Sequence, residues 1–423
     1  MSVPPCARCR PSAASGHLRR LLRGPRSSLS AWQRRSQSSS SSPSEASATD
    51  ASATEASTTT DQPEREPRTI FSGIQPTGVP HLGNYLGAMR QWRELQAEAH
   101  PEDRLLFSIV DLHAITMPQD ARQLRQRSRE MLAALIAIGL DPKRCTLFYQ
   151  SAVPAHSELL WILSCTSSMG YLGRMTQWKS KLTENNNRMS LDDDALASKL
   201  KLGLFSYPVL QAADILVHRA THVPVGDDQR QHLEFARECA TNFNAAFKNG
   251  RLLAPETITT ETPRVMSLQN PLSKMSKSSP SHKSRIEITS EPAEIRARLR
   301  CAVTDSDNWV TYDPARRPGV ANLLELWAQC DPARRSPAAL AEDLHGATLG
   351  ALKRQAAEAI IAELDGVRDR YREALQRKGG KWLDEVAHEG AFRARQSARR
   401  TMLMVRDVVG LSYRRRGPMT QVK

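Results

Sequence analysis

Five consecutive residues in the second half of the chain carry two cations that could act on phosphate groups. They are Lys274-Met275-Ser276-Lys277-Ser278, and they lie in a stretch rich in Pro and Ser that has no hydrophobic periodicity. Two ammonium groups three residues apart on a loop can neutralise the charge that develops on a triphosphate as it is cleaved. Taken alone, such a pattern is more often a solvated basic loop.

A second segment, residues 73–84, places polar donors where a helix is expected to begin. It reads Gly-Ile-Gln-Pro-Thr-Gly-Val-Pro-His-Leu-Gly-Asn. Glycines there let the backbone approach a ligand, and free N–H groups at a helix start favour phosphate. His81 and Asn84 lie three residues apart on the first helical turn, and both can donate to a phosphate oxygen. The segment is neither a Walker A loop nor the GxGxxG dinucleotide motif, and a turn followed by a helix cap is the alternative interpretation.

Two further segments carry carboxylates beside apolar runs. Asp214 is the one charged residue of the apolar segment 211–216. A buried carboxylate needs a partner, which could be a ligand donor or a neighbouring arginine. Gly226, Asp227 and Asp228 follow the apolar residues 223–225. In open α/β sheets ligands bind beyond the carboxyl ends of the strands, although acids at a helix start also simply complement the helix dipole.

The hydrophobic pattern predicts alternating strands and helices that would position these segments. Strands are expected over residues 69–72, 105–110, 146–149 and 222–225, with helices between them. This alternation favours βαβ units and a parallel sheet.

After Ser290 the chain is predicted to become mostly helical. Ser290 is expected to cap a helix that has Pro292 in its first turn. Apolar residues spaced by three or four from Leu349 to Tyr371 predict the clearest helix, and a last one is expected near 390–410. We therefore expect a separate α-helical domain in this part of the chain.

The ordered set of motifs resembles the class I aminoacyl-tRNA synthetases, and within them the tryptophanyl-tRNA synthetases, particularly the mitochondrial ones. SGIQPTGVPHLGNYLGA is similar to their "HIGH" region, and KMSKS is their second signature. FSGIQPTG, VDLHAIT, MTQWK, YPVLQAADIL, VPVGDDQRQH, KMSKS and AVTDS occur in the family's order over residues 67–413. The resemblance implies an α/β fold, with a Rossmann-type parallel-sheet catalytic domain over 67–290 that ends in the KMSKS loop. A C-terminal α-helical anticodon-binding domain with a basic tail would occupy 291–423.

Carried over position by position, the resemblance assigns a role to each motif residue. Asp214 matches the acceptor of the tryptophan indole N–H, with Phe71 and His113 beside it. The catalytic residues would be His81, Asn84, Lys274 and Lys277. The ATP-binding residues would be Gln75, Pro76, Thr77, Gly83, Asn84, Gly226, Asp227, Asp228, Val265, Lys274, Met275, Ser276, Lys277 and Ser278. No residue is assigned to a metal.

The resemblance also implies a two-step reaction that uses ATP with Mg²⁺. The tryptophan carboxylate would attack the α-phosphate, and the adenylate would then pass to tRNA(Trp) for organellar translation. The partners implied are L-tryptophan, tRNA(Trp) and a second copy of the chain in a homodimer. Three departures from the family pattern stand out: Asn84 replaces the second His of the HIGH pattern, Gln211 stands where bacterial members often have Met, and the insertion 183–199 is long.

Three other functions would fit parts of the pattern. A tyrosyl-type enzyme shares the nucleotide fold but fits the Asp214 segment less well. A small nucleotidyltransferase would lack the KMSKS loop and the helical extension. A catalytically silent relative that only binds RNA or protein is expected to have lost His81, Asn84, Lys274 or Lys277, and all four are present.

Composition and charge narrow the class of protein. A chain of 423 residues has room for two domains with extensions, and no run of 18 apolar residues predicts a membrane span. Of the net charge of +14, residues 1–44 contribute +8, residues 45–66 contribute −5 and the remainder +11. This excess suits a polyanion such as nucleic acid, or a generally basic surface. The seven cysteines follow neither a disulfide framework nor metal-ligand spacing, as expected in a reducing compartment.

The N-terminus has the composition of a targeting segment. Residues 1–44 are rich in Arg and Ser and contain no acid. Leu18, Leu21 and Leu22 fall on one face of a potential helix with arginines around the other, which is typical of a transit peptide. The Ser/Thr/Ala tract that follows cannot bury a core. We therefore expect residues 1–66 to be a transit peptide and a disordered linker. The composition fits a mitochondrial or a plastid address, and the resemblance implies the mitochondrial matrix. A tail that targets nothing is the alternative.

Overall fold

A computed structural model describes residues 65–175, 200–226, 229–259, 264–277 and 279–412. All of them lie in the compact unit Glu64–Lys423. The predictions for the presequence up to residue 64, the insertion 183–199, Asp227, Asp228, Ser278 and the basic tail lie outside the described residues.

Five parallel strands form the sheet, as predicted for a Rossmann-type fold. They are β1 (Thr69–Ile74), β2 (Arg104–Ile109), β3 (Thr146–Tyr149), β4 (His222–Val225) and β5 (Glu256–Thr259). Their spatial order is β3-β2-β1-β4-β5. Ile70 in β1 pairs with Leu105 on one side and His222 on the other. The order of the chain therefore reverses at β1, which creates a crevice between the carboxyl ends of β1 and β4.

Eight helices lie in the first part of the chain that the structure describes. They are α1 (Leu82–Asn84), α2 (Arg90–Glu98), α3 (Asp111–Ala114), α4 (Ala121–Ala137), α5 (Ala155–Ser164), α6 (Met169–Arg174), α7 (Leu202–Val217) and α8 (Arg230–Ala246). A π-helical turn (Tyr85–Met89) joins α1 to α2, and a 3₁₀ turn (Gln150–Ala152) follows β3. Asp120 caps α4 by accepting a hydrogen bond from the backbone N–H of Gln123.

From residue 292 onward the described residues contain helices and no strand, which confirms the predicted C-terminal helical region. The helices are α9 (Pro292–Arg300), α10 (Pro318–Cys330), α11 (Pro337–Asp343), α12 (Leu349–Glu363), α13 (Val367–Gln376) and α14 (Lys381–Val408). Short 3₁₀ turns occupy His282–Ser284 and Arg377–Gly380.

Two details of the helical prediction were wrong. Glu291, not Ser290, precedes the first turn of α9, and no side chain caps that turn. The continuous helix expected from Leu349 to Tyr371 is two helices, separated at Gly366, whose φ of 68° is left-handed. The break escaped prediction because the apolar residues Leu364, Val367 and Tyr371 continue the spacing of three or four across it.

The long helix α14 packs directly on strand β3. Gly390 allows this approach, because a Cβ at that position would overlap the backbone carbonyl of Leu147. The same helix also contacts α5 and α7. Side chains of α14 therefore come close to the helices that form the site described below.

Apolar layers cover both faces of the sheet. Leu105 and Phe107 of β2 belong to one buried cluster, and Leu106, which points to the opposite face, belongs to the other. None of the helices in the described ranges is both long and apolar enough to cross a membrane.

Candidate active site

A cavity of about 510 Å³ opens in the crevice between β1 and β4. Residues 71–75 of β1 and its following turn form one wall, and residues 223–226 of β4 form another. Asn84, on the first helical turn after β1, and Asp214, on α7, also line it. The cavity thus lies where a parallel sheet of this strand order binds its ligands.

His81 and Asn84 cap the first helix through two reciprocal hydrogen bonds. The backbone N–H of Asn84 donates to Nδ1 of His81, and the backbone N–H of His81 donates to Oδ1 of Asn84, each at 3.2 Å. Gly83 completes this turn, since a Cβ there would lie 3.1 Å from the His81 ring and 3.4 Å from Cβ of Val265. The helix cap that was the alternative interpretation is therefore present, and it holds both side chains in one orientation.

His81 is neutral at physiological pH. Burial, together with the positive charges of Lys277, Arg285 and Lys274, lowers its pKa from 6.5 to about 4. Because Nδ1 accepts a hydrogen bond, the single ring proton is assigned to Nε2. The residue therefore offers a neutral N–H donor rather than a cation.

This shift makes folding sensitive to acid, and the His81→Asn variant isolates the effect. The folded state protonates His81 only below about pH 4, whereas the unfolded chain does so below 6.5. Stability is therefore lost as the pH falls between these values, by up to about 3 kcal/mol. Asparagine can still accept from Asn84 but does not titrate, so we expect the variant to lose correspondingly less stability. Urea unfolding of both proteins at pH 7 and pH 4 measures this, and equal losses would contradict it.

The KMSKS loop begins on a short antiparallel bridge beside the first helical turn. Met266 and Lys274 form the bridge, and the backbone N–H of Met275 donates to the carbonyl of Val265 at 3.0 Å. The side chain of Met275 is 1% exposed, and it belongs to the core cluster that contains Ile70. This anchor leaves Lys274 exposed at the cavity wall.

Lys277 ties the KMSKS loop to the glycine-rich turn after β1. Its Nζ donates to the carbonyl of Gly78 at 2.8 Å, and to the carbonyl and hydroxyl oxygens of Thr77 at 3.0 and 3.2 Å. Burial lowers the pKa of Lys277 to about 8. The two signature segments, 200 residues apart in sequence, are thus in direct contact.

Asp214 is buried and accepts three hydrogen bonds, none of them from an arginine. Its Oδ1 accepts from Nε2 of Gln150 at 2.7 Å and from Nδ1 of His156 at 2.6 Å, and its Oδ2 accepts from Nε2 of His113 at 2.8 Å. Burial alone would raise the pKa of Asp214, but the hydrogen bonds from His113 and His156 hold it at about 2. A charged acceptor therefore stands in an apolar wall of the cavity.

The cavity brings together eight of the predicted site residues and leaves others beside it. The eight that line it are Phe71, Gln75, Gly83, Asn84, His113, Asp214, Gly226 and Lys274. Those that lie outside its wall are Pro76, Thr77, His81, Val265, Met275, Ser276 and Lys277. Asp227, Asp228 and Ser278 are outside the described residues.

Several lining residues were missed as site residues in the sequence. Gln211 and Tyr207 lie one and two turns before Asp214 on α7, and helical spacing from Asp214 could have found both. Trp92 lines the cavity from α2, where its spacing predicted only a core residue. In the described part of the chain its buried Nε1–H has no hydrogen-bond partner. Gln150 and His156, which hold Asp214, carry no signal in the sequence.

Comparisons with known proteins agree with this geometry. A family model described as tRNA synthetases class I (W and Y) matches residues 63–365. The chain is 43% identical over 347 residues to the mitochondrial tryptophan–tRNA ligase of Saccharomyces cerevisiae, across 81% of this chain and 90% of that one.

Two solved structures have the same fold. The tryptophanyl-tRNA synthetase of Mycoplasma pneumoniae aligns with a TM-score of 0.69 at 30% identity, across 82% of this chain and 98% of that one. The tryptophanyl-tRNA synthetase of Campylobacter jejuni, complexed with ADP and tryptophan, aligns with a TM-score of 0.64 at 31% identity, across 81% and 100%.

Proposed function

The chain belongs to the class I tRNA synthetases for tryptophan and tyrosine and is a tryptophan–tRNA ligase. We propose that tryptophanyl-adenylate is formed in the cavity between β1 and β4. One observation carries the assignment of the site. A single cavity holds a buried, ionised carboxylate at Asp214 and, on other walls, Asn84 and Lys274 of the two signature segments. The first group suits an indole N–H, and the others suit a triphosphate.

In the first step a carboxylate oxygen of tryptophan attacks the α-phosphorus of ATP. The bond from that phosphorus to the bridging oxygen breaks, and pyrophosphate leaves with the electron pair. We propose that Lys274 and Lys277 neutralise the charge that grows on the leaving group, while His81 and Asn84 donate hydrogen bonds to phosphate oxygens. In the second step a terminal ribose hydroxyl of tRNA(Trp) attacks the adenylate carbonyl and AMP leaves. Positioning and charge neutralisation supply most of the rate.

The adenosine is proposed to lie along the turn after β1 and the turn after β4. Gln75, Gly83 and Gly226 line the cavity there, and Val265 lies against Gly83. Pro76 and Thr77 shape the turn that Lys277 holds, and Met275, Ser276 and Ser278 belong to the loop that closes on the triphosphate. Asp227 and Asp228 are proposed for the ribose side. An unchanged KM for ATP in Gln75→Ala would show that this exposed residue does not bind ATP.

Magnesium is proposed to arrive with the phosphates of ATP rather than in a site of the protein. Among the described residues, no group of three or more His, Cys, Asp or Glu side chains could hold a metal ion. Mg²⁺ usually keeps several waters and binds substrate phosphates. Equilibrium dialysis of the protein alone should therefore show no tight Mg²⁺ binding.

The tRNA is proposed to contact both parts of the molecule. We assign residues 67–290 to catalysis and 291–423 to anticodon binding, as the resemblance implies. The charge of +11 over residues 67–423 favours a polyanion. Binding of tRNA(Trp) should weaken with rising salt. An affinity that does not change between low and high salt would argue against an electrostatic contact.

The destination is proposed to be the mitochondrial matrix. Residues 1–66 have the composition of a transit peptide followed by a linker, and the similar yeast enzyme is a mitochondrial one. A fusion of residues 1–66 to a fluorescent protein tests this, and diffuse cytosolic fluorescence would overturn it.

A homodimer is proposed on an exposed apolar surface. Trp161 of α5, Met169 of α6 and Leu202 of α7 are 73%, 65% and 77% exposed, and both α5 and α6 pack on α7. Large apolar side chains exposed on neighbouring helices are typical of a protein interface. Light scattering should give a dimer for the wild type and a monomer for Trp161→Glu, with Leu403→Glu on α14 as the control.

The activity itself is tested by ATP–pyrophosphate exchange with each amino acid in turn. We expect exchange with tryptophan, far above that with tyrosine or phenylalanine. Exchange with tyrosine instead would indicate a tyrosyl-type enzyme. Exchange with no amino acid would indicate a catalytically silent relative.

A further inference from the structure

A row of hydrogen-bonded groups leads from Asp214 through the protein interior to helix α14. Nδ1 of His156 lies 2.6 Å from Oδ1 of Asp214, and Nε2 of His156 lies 3.2 Å from Nε2 of His218. Nδ1 of His218 lies 3.1 Å from Oγ of Ser397, which accepts from Nη2 of Arg104 at 2.8 Å. The row therefore connects the amino-acid end of the cavity to the start of β2 and to α14.

The two ends of the row have fixed hydrogen-bonding roles. The Arg104 guanidinium can only donate, and the ionised Asp214 carboxylate can only accept. Oγ of Ser397 therefore accepts from Arg104, and Nδ1 of His156 donates to Oδ1 of Asp214. The two inner contacts, between Ser397 and His218 and between His218 and His156, join these fixed ends.

Burial and aromatic packing also fix the orientation of the two histidine rings. His156 is 0% exposed and His218 is 1% exposed. Phe71 stacks on the ring of His218, with centroids 5.7 Å apart, and Phe148 contacts the rings of both histidines. Because Phe71 also lines the cavity, the amino-acid pocket and the row share a wall.

The two oxygens of Asp214 are not equivalent. Oδ1 receives two donors, Gln150 and His156, neither of which lines the cavity. Among the described residues, Oδ2 receives a hydrogen bond only from His113, which does line the cavity. A carboxylate oxygen has two lone pairs, so Oδ2 keeps acceptor capacity beside the cavity.

We propose that His156 and His218 are positioning residues that hold Asp214 so that its Oδ2 accepts the indole N–H. The inference rests on the proposed function and extends it to residues that do not touch the substrate. Phenylalanine has no ring donor, so its binding leaves this acceptor unpaired and is disfavoured. Loss of the row should therefore impair tryptophan more than phenylalanine.

The charge state of Asp214 depends on the titratable groups packed around it. The titratable groups around it on α3, α5, α7, α8 and the KMSKS loop are His113, His156, Tyr207, His218, His232 and Lys274. Removal of the N–H donated by His156 leaves burial less opposed, so the pKa of Asp214 rises. Protonated Asp214 is then present at moderately acidic pH.

The first experiment compares His218→Leu with His218→Gln in tryptophan- and phenylalanine-dependent pyrophosphate exchange. Glutamine keeps a polar group that can hydrogen-bond to His156, and leucine removes it. We expect His218→Leu to raise the KM for tryptophan and to lower the preference for tryptophan over phenylalanine about tenfold each, with KM for ATP unchanged. His218→Gln should stay close to wild type. Equal effects of the two variants, or equal losses with both amino acids, would overturn the proposal.

The second experiment measures the pH profile of kcat/KM for tryptophan in His156→Phe and His156→Asn. Asparagine places an N–H where Nδ1 stands. We expect the acid limb to move to higher pH in His156→Phe and to return in His156→Asn, an effect that a purely structural role would not produce. An unmoved acid limb would overturn the proposal.

Two substitutions of Ser397 provide the same test if the variants of the buried His156 and His218 fail to fold. Ser397 lies on α14 at the half-buried end of the row. Ser397→Ala should raise the KM for tryptophan about two- to threefold, and Ser397→Thr, which keeps the hydroxyl, should not. Wild-type exchange with tyrosine instead of tryptophan would overturn the proposed function and this inference together. Normal wild-type exchange with unaltered variants would overturn this inference alone.

Discussion

Replacing Lys277 by alanine is expected to lower the rate of tryptophan-dependent pyrophosphate exchange about 10²–10³-fold, with little change in tryptophan affinity. The ammonium group lies against the turn formed by Thr77 and Gly78, beside the first helical turn, where the triphosphate is proposed to bind. Its charge matters chiefly as negative charge moves onto the departing pyrophosphate. Loss of one such transition-state contact typically costs about 3–4 kcal/mol.

Two further variants make this result specific. Lys277→Arg keeps the charge and should retain part of the rate. Lys283→Ala removes an exposed lysine six residues along the same stretch and should leave the rate unchanged. Kinetics at varied tryptophan and ATP would contradict the role if Lys277→Ala raised the KM for tryptophan as much as it lowered kcat.

The strands that carry the site are predictable because each is a short apolar run. The residues of β2 after Arg104 are all buried, and all of them except Ser108 are apolar, as expected for a strand covered on both faces. The glycine-rich turn after β1 and Gly226 after β4 are then both expected at carboxyl ends of strands, where the structure places them. β5 (Glu256–Thr259) was not predicted, because an edge strand with partly exposed, polar side chains lacks an apolar run.

The sequence could not predict the contacts between segments that are far apart in the chain. His113, Gln150 and His156 reach Asp214 from 101, 64 and 58 residues away, and nothing in the local spacing of any of them indicates this carboxylate. The segment around Asp214 showed only that a charge in an apolar helix needs a partner. The chain fold decides that the partners are imidazoles and an amide rather than an arginine.

The packing of α14 on β3 is likewise a contact between distant segments that the sequence does not predict. A glycine within a helical pattern indicates close approach to something, but not to what. The structure places Gly390 over the backbone of Leu147, and Ser397, seven residues further along the helix, then reaches His218. Helix periodicity alone predicted a helix near this position and could not predict this contact.

The largest change in substrate specificity is expected from Asp214→Ala. A pocket for tryptophan must bury an indole and still pair its N–H. Asp214 offers a charged acceptor there, and a site with a buried acceptor can reject a ligand that leaves it unpaired by about 10⁴–10⁵-fold. We expect the variant to lose most of its tryptophan use and to narrow the gap to phenylalanine, because phenylalanine never made that bond. Tyrosine should remain poor, since its hydroxyl lies at a different distance along the ring.

Asp214→Asn separates the acceptor from the charge. Its amide oxygen can still accept from Gln150 and His156, and His113 can accept from the amide nitrogen in its other tautomer. That arrangement keeps the buried groups paired. In the molecules that adopt it, however, the amide nitrogen stands where Oδ2 stood, so the indole N–H loses its acceptor. We therefore expect tryptophan use between that of wild type and Asp214→Ala, with stability close to wild type.

Stability and specificity must be measured on the same variants, because Asp214→Ala also leaves three buried donors without their acceptor. Each such loss typically costs about 1–3 kcal/mol, so a lower melting temperature is expected whichever role Asp214 has. Pyrophosphate exchange with tryptophan and phenylalanine below that melting temperature separates the two. If Asp214 only holds the helices together, the ratio of kcat/KM for the two amino acids stays at its wild-type value in the folded variant. If Asp214 accepts the indole N–H, that ratio falls by orders of magnitude while the KM for ATP hardly changes.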